Sequence, residues 1–400
     1  MVRTQPGSRR ASAAATALLG VLLLLVTACS ASSEASEKAG QGGEKETAGV
    51  QIAITPEDGS QDVPTSGGLR VTAEGGTLSE VTVTGDEDEE IPGRLSEDGT
   101  DWEPSEHLAN DTAYTVRAVG ENGSGEQVTE TSSFTTVAAG ATFASSWNIS
   151  DGATVGVGMS LSLTFDTPIE NTAAVRDAIE ITTEPEVEVR GHWFGNQRLD
   201  FRPESYWEPG TEVDVKFRVR GVEGAPGVYG TLHRDVSFTI GRSQVSTVDI
   251  DSLTMEVVRD GEPLKTIPVT AGAPGKETWN GIMVVSELHQ ELRMDGATVG
   301  YDYDIPDVPH AMRLSQSGTF LHGNYWSSAD TFGSRLDTHG CIGLRDVQGR
   351  GDSSTPAAWF YQNTMIGDVV EVINSDDKQI APDNGINGWN MPWSEWGAGQ

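Results

Sequence analysis

The sequence predicts a mainly β protein built from successive small units. Three observations carry this. Forty-seven glycines and 18 prolines in 400 residues interrupt the chain too often for long helices. Apolar residues recur at every second position in short runs, the period of a half-buried strand. The pattern also repeats: Ser133-Phe134-Thr135-Thr136 and Ser237-Phe238-Thr239-Ile240 close two similar stretches, as tandem β units would.

The elements follow in order. Arg3, Arg9 and Arg10 precede an apolar run over 11–26, and Thr27, Ala28 and Cys29 follow it. A basic, then apolar, then small-residue order reads as an export signal over 1–28, with Cys29 placed as a lipid attachment site. The run is too short and too near the terminus for a spanning helix. Residues 29–49 are Ser, Glu, Gly, Ala and Lys with almost no large apolar side chain. Such a segment has nothing to bury and reads as a flexible tether.

Over 50–138, the runs at 51–55, 69–72, 81–83 and 114–119 alternate at period two, and Asp98-Gly99 and Asn122-Gly123 mark turns. Leu108 followed by Tyr114 fits the tyrosine corner of a sandwich. Over 139–242, strands are expected at 161–165, 179–182 and 213–217, with one short helix within 170–179. Two tandem immunoglobulin-like β-sandwiches account for both stretches. Neither contains cysteine, so neither carries an inter-sheet disulfide. Over 243–375 a hairpin turns at Asp260-Gly261, strands follow at 282–285, 319–321 and 368–372, and Pro356 opens a helix to about 364. Residues 376–400 hold Trp389, Trp393 and Trp396, whose rings need cover from a neighbouring domain.

The formal charge is −34, and removal of residues 1–28, with three arginines and no acid, makes it −37. That field repels nucleic acid, so none is expected as a partner. No His, Cys or carboxylate cluster has metal-ligand spacing and no Gly-rich phosphate loop follows a strand, so no cofactor is expected.

The chemistry concentrates around the second cysteine. Cys341 ends Thr338-His339-Gly340-Cys341, and His322 stands upstream in Leu321-His322-Gly323. A thiol attacks carbonyls as thiolate, and an imidazole supplies the base. His339, inside the turn, is better used to hold its shape, while backbone N–H groups around Gly340 and Cys341 converge on an oxyanion. His322, at the end of an apolar strand, is better placed as base, with the Gly323 carbonyl free to orient its Nδ1.

This signature, a histidine, fifteen intervening residues, then Thr-His-Gly-Cys, resembles that of the L,D-transpeptidases with a YkuD-type catalytic domain. The whole chain is similar to actinobacterial members that carry a lipoprotein signal, two immunoglobulin-like domains, the catalytic domain and a tryptophan-rich end. The resemblance implies a β-rich catalytic domain with one or two short helices over 243–375. It also implies that Cys341 is the nucleophile and His322 the base, that the Gly323 carbonyl orients it, and that His339 and Gly340 form the oxyanion turn. Ser317, Gly318, Tyr303, Trp326, Thr338 and Gly343 fall at substrate-contacting positions, with Tyr301 an alternative lid tyrosine. The implied reaction makes 3→3 cross-links between peptidoglycan stem peptides through a thioester. Carbapenem β-lactams are the implied covalent inhibitors. The implied location is the outer face of the cytoplasmic membrane, held by lipidated Cys29, with the chain extending into the wall. Hydrolysis of the same stem by an L,D-carboxypeptidase is the rival enzyme reading, and a non-catalytic wall-binding lipoprotein the rival outside catalysis.

Two departures stand out. The family usually has Asn two residues after the cysteine, where this chain has Gly343; Arg345 is an alternative donor. Residues 346–354 read as an insertion before the helix.

Overall fold

The computed structural model of the chain describes residues 49–398; the export signal, nearly all of the tether, and Cys29 lie outside them. The described chain is mainly β, with two short α-helices, Thr172–Asp177 and Pro356–Gln362. Thr355 caps the second helix through its hydroxyl, and Pro356 opens it, where a missing N–H costs nothing.

In the first part, strands Gln51–Thr55, Arg70–Glu74, Asp101–Pro104 and Gly93–Leu95 form one sheet, and Ser60–Val63, Gln127–Thr136, Ala113–Glu121 and Thr77–Thr84 form another. Val71, Trp102, Tyr114, Val116 and Phe134 are buried in one cluster. The Tyr114 hydroxyl accepts the Ala109 N–H at 2.8 Å, which gives the corner its backbone anchor.

The second part has Ser145–Trp147, Leu161–Phe165, Arg198–Pro203 and Val189–Phe194 in one sheet. Ala153–Val155, His233–Ile240, Glu212–Arg218 and Ile179–Glu184 form the other. The repeated Ser-Phe-Thr sequence has the same place in both parts. Phe134 is the parallel partner of Ser60, and Phe238 that of Ala153.

The third part is one nine-stranded sheet. Its order is Gly281–Val284, Val369–Ile373, Gln244–Asp249, Thr254–Arg259, Glu262–Thr270, Ile342–Arg345, Phe320–Asn324, Asp304–Arg313 and Glu287–Asp295. Val257, Ile267, Val269, Leu321, Ile342, Leu344 and Phe360 fill its core. Phe320–Asn324 and Ile342–Arg345 run parallel, with His322 opposite Gly343.

The C-terminal segment straps this sheet to the second part. The edge strand would otherwise expose unpaired backbone groups. Asn387 Oδ1 accepts the Val284 N–H, while Asn390 accepts the Ile282 N–H and returns a bond to the Ile282 carbonyl. The tryptophans find their cover around Arg202, which is 1% exposed and lies 4.3–5.4 Å from the ring centroids of Trp389, Trp393 and Trp396.

Candidate active site

Alternation along Phe320–Asn324 decides which side chains meet. Leu321 joins the core, so His322 and Asn324 project from the opposite face. In the adjacent parallel strand, Ile342 and Leu344 likewise join the core, which turns Cys341 toward His322. Both residues line one cavity of about 260 Å³, with Met294, Tyr303, Ile305, Asn324, Trp326, Asp337, Thr338 and His339. Cys341 also borders a second cavity of about 420 Å³, lined among others by Arg293, Arg313, Ser317, Gly318 and Phe320. Met294, Tyr303 and Cys341 belong to both, so the sulfur stands where the two spaces meet.

The His322 Nδ1 lies 2.9 Å from the Gly323 carbonyl. A carbonyl accepts only, so Nδ1 carries the proton and Nε2 remains the basic nitrogen. Trp326 stacks on the ring at 5.7 Å and 26°. Burial holds the imidazole below its ordinary pKa, with the Gly323 bond acting the other way. Burial pushes the Cys341 thiol up to about 11, against a smaller contribution from the Phe320 backbone. The resting pair is therefore a neutral thiol and a neutral imidazole, and the proton must move during attack. The thiol donates its long hydrogen bond to the Gly318 carbonyl, at 3.8 Å.

The turn before the cysteine is held by Thr338. Its hydroxyl donates to the Cys341 carbonyl at 2.6 Å and accepts the Gly340 N–H at 3.3 Å. Gly340 has φ of 106°, a conformation that side chains with a Cβ resist. Two expectations change. The Gly340 N–H is turned inward, leaving His339 and Cys341 as the turn's remaining donors toward an oxyanion. His339 does not hold the turn either: its side chain is exposed and packs against Tyr301 and Tyr303, at 4.7 and 5.0 Å. A four-residue turn leaves no interior room for an imidazole, and the smaller threonine does the holding.

Tyr303 sits on the segment between Glu287–Asp295 and Asp304–Arg313, the strand pair that roofs both cavities. Burial raises its phenol pKa, and the Cys341 thiolate, once formed, adds to it. Ser317 and Gly318 line the second cavity. Asn384 of the strap fixes Ser317, accepting its N–H at 2.9 Å and donating to its hydroxyl at 2.8 Å. Gly343 lines neither cavity. A Cβ there would stand 2.8 Å from Thr270 Cγ2 and 3.5 Å from Asn324 Nδ2, so the third strand leaves no room and Asn324 covers the position. Arg345 is exposed and lines neither cavity.

Sequence reasoning missed Asn324, Asp337, Met294 and Ile305 as cavity walls. His310, an ordinary surface or packing residue by the sequence, is buried outside both cavities and pairs its Nδ1 with Asp346 at 2.7 Å. The 346–354 segment grips the roof: Gln348 donates to Asp307 at 2.8 Å and Arg350 to Gln290 at 2.8 Å.

A family pattern for the L,D-transpeptidase catalytic domain matches residues 243–372, and one for a bacterial Ig domain matches 60–223. L,D-transpeptidase 2 of Mycobacterium tuberculosis is 34% identical over 347 residues, covering 86% of this chain and 83% of that protein. The chain belongs to the L,D-transpeptidase family. L,D-transpeptidase 5 of the same organism is 31% identical over 353 residues, covering 86% of this chain and 76% of that protein. A solved structure of LD transpeptidase LdtMt1 in complex with imipenem is 28% identical, has a TM-score of 0.47, and covers 57% of this chain and 97% of that one. Membership makes this a cysteine-dependent enzyme, with Cys341 the one cysteine among the described residues.

Proposed function

We propose that this transpeptidase joins peptidoglycan stems by 3→3 cross-links from a lipid-anchored position outside the cytoplasmic membrane. The placement of Cys341 and His322 in one cavity, with Gly323 fixing the imidazole tautomer, carries the chemical part. Cys341 Sγ attacks the carbonyl of the third residue of a tetrapeptide stem. Its proton passes through His322 to the nitrogen of the departing D-alanine, and a thioester forms. The side-chain amine of a second stem then displaces sulfur and forms the cross-link. A carbapenem offers a strained acyl group to the same sulfur.

The test is acylation by imipenem, followed by intact mass. The wild type gains one adduct and Cys341→Ala none; equal occupancy on Cys341→Ala would sink the assignment. The pH profile separates the base. With His322 neutral above its lowered pKa, the wild-type rate levels off near neutrality. In His322→Ala the attacking species is free thiolate, and a thiol with a pKa near 11 yields about tenfold more of it per pH unit. The variant should therefore start about 10² to 10⁴ slower and climb steadily between pH 7 and 10. A flat profile in the variant means that His322 is not the base.

The anchor rests on Cys29 behind a basic and apolar leader, followed by a segment with almost no large apolar side chain. The two tandem immunoglobulin-like domains would then serve as a stalk. Cys29→Ala should shift the protein from the membrane to the soluble fraction with its acylation rate intact. A cleaved mutant that stays on the membrane would place the anchor elsewhere.

A further inference from the structure

The two cavities that meet at Cys341 differ in charge. The one holding His322 contains a single carboxylate, Asp337, and neither lysine nor arginine in its wall. The other is bordered by Arg293, Arg313 and Asp295, with Arg293 paired to Asp304 and Arg313 to Glu287, each at 2.9 Å. Asp337 is fixed rather than loose: its backbone N–H donates to the Ala271 carbonyl at 3.0 Å and to Thr270 Oγ1 at 3.1 Å. Its Oδ2 accepts the Ser327 hydroxyl at 3.1 Å, and Ser327 in turn is held by Asn324. No lysine or arginine forms an ion pair with Asp337 among the described residues, and no donor is seen on its Oδ1. Trp326, 43% exposed, lies in the same wall and presents an indole to anything entering.

We infer that Asp337 seats the ammonium group of the acceptor stem before it resolves the thioester. The inference rests on the transpeptidase reading and adds the side from which the acceptor enters. The reasoning is one of protons. An amine reaches the site as an ammonium and is not nucleophilic until it loses one. His322 is the base, and it lines only the cavity that holds Asp337. The acceptor must therefore approach there, past a carboxylate that attracts its charge and an indole that adds a cation–π contact. Its nitrogen then bonds to the thioester carbonyl and the carbon–sulfur bond breaks. Of the two protons lost by the ammonium, one returns to the Cys341 sulfur through His322 and the other leaves to solvent. The departing D-alanine, whose nitrogen takes its proton from His322, leaves through the cavity the acceptor then enters, and the rest of the donor stem is left the second cavity.

The experiment uses the full chain, a tetrapeptide donor and Nα-acetyl-lysine amide as the ammonium probe. Acceptor KM and kcat are measured in wild type, Asp337→Asn and Asp337→Glu, beside the rate of imipenem acylation, which needs no acceptor. Asn preserves the shape and can still accept from Ser327. Because the carboxylate is solvent-exposed, the charge contributes modestly, so acceptor KM should rise about fivefold in Asp337→Asn. The acylation rate should fall by a smaller factor than KM rises, and Asp337→Glu should recover most of the loss. Added salt should raise KM in wild type but not in Asp337→Asn. An unchanged KM in Asp337→Asn, with amide still formed, overturns the seat and leaves the transpeptidase reading standing. A parallel loss of acylation overturns it as well, since Asp337 would then serve the turn. Acylation followed only by hydrolysis, in wild type too, defeats the seat and the transpeptidase reading together.

Discussion

The two joints of the molecule are built from different materials. Where the first sheet pair meets the second, ion pairs meet beside one buried neutral bond, from the Thr65 hydroxyl to the Gly221 carbonyl at 2.7 Å. Arg220 forks onto Glu89 at 2.9 Å through both terminal nitrogens, and Glu106 takes Arg218 at 3.0 Å and His233 at 3.1 Å. The apolar core of the first part stays within the first part. Where the second meets the catalytic sheet, the core is shared. Val284 of the edge strand and Ile386 of the strap lie in the cluster that fills the second pair. Backbone bonds cross the joint as well, from Gly156 to Ile366 and from Gly158 to Gly367, each 2.8 Å. An interface of packed apolar surface resists water and salt, whereas exposed ion pairs are screened. The second part is thus a structural member of the enzyme, and the first is attached to it by polar contacts, of which the Arg220–Glu89 pair is open to water and the Glu106 carboxylate, 9% exposed, is not.

The strap makes that difference matter for chemistry. Arg198, on the second sheet pair, donates to the carbonyls of Asp383 and Gly385 at 2.7 and 2.6 Å. Asn384 between them holds Ser317, and the next residue's carbonyl receives the Cys341 thiol. A line of hydrogen bonds therefore runs from the second part to the nucleophile. Among the described residues no such line starts from the first part.

The largest effect should come from Arg202→Ala. Arg202 donates to the carbonyls of Pro203 and Met391, at 2.9 and 2.8 Å, and three indoles surround its guanidinium. Truncation leaves a buried void and strips partners from buried carbonyls, so a loss of about 3–5 kcal/mol is expected. Urea unfolding reads it, and imipenem acylation should slow as the strap loosens its hold on Ser317. A midpoint within experimental error of wild type would show that the strap is held elsewhere and would erase the contrast between the joints.

How much of this the sequence discloses depends on how local each feature is. The strands at Gln51–Thr55 and Leu161–Phe165 were legible because apolar and polar residues alternate in the sequence, with Ile52 and Ile54 half-buried and Leu161, Leu163 and Phe165 buried. The roof strands were not. Glu287–Asp295 sets Leu288, Leu292 and Met294 on one face, but Gln290 breaks the run and no residue of the strand is fully buried, and Asp304–Arg313 contains Pro306 and Pro309, which argue against a strand. They exist because they pair with each other and with Phe320–Asn324, a tertiary fact. The motif residues Cys341 and His322 were legible as chemistry because their types and spacing are specific. Asn324 and Asp337 were not, since only the parallel register of two strands and the fixed turn bring them to the cavity wall. Gly343 failed as a substrate contact for the same reason: the limit on it comes from Thr270, about seventy residues away.

The smallest effect should come from Arg220→Ala, and its smallness is the informative part. The Arg220 side chain is 22% exposed and that of Glu89 44%, so water screens the pair; the guanidinium still holds the Glu89 carboxyl below its usual range. A pair this open contributes less than about 1 kcal/mol. Glu106 keeps its bonds to Arg218 and His233, and the Thr65 hydroxyl keeps its bond to the Gly221 carbonyl, at 2.7 Å. The unfolding midpoint should therefore barely move, and imipenem acylation should not change, because nothing at this joint reaches Ser317 or Cys341. Small-angle scattering at low and high salt should show the variant sampling a wider spread of angles between the first two parts than wild type at low salt, with the difference shrinking at high salt. A stability loss rivalling that of Arg202→Ala would mean that charge alone welds the first joint as firmly as packing welds the second.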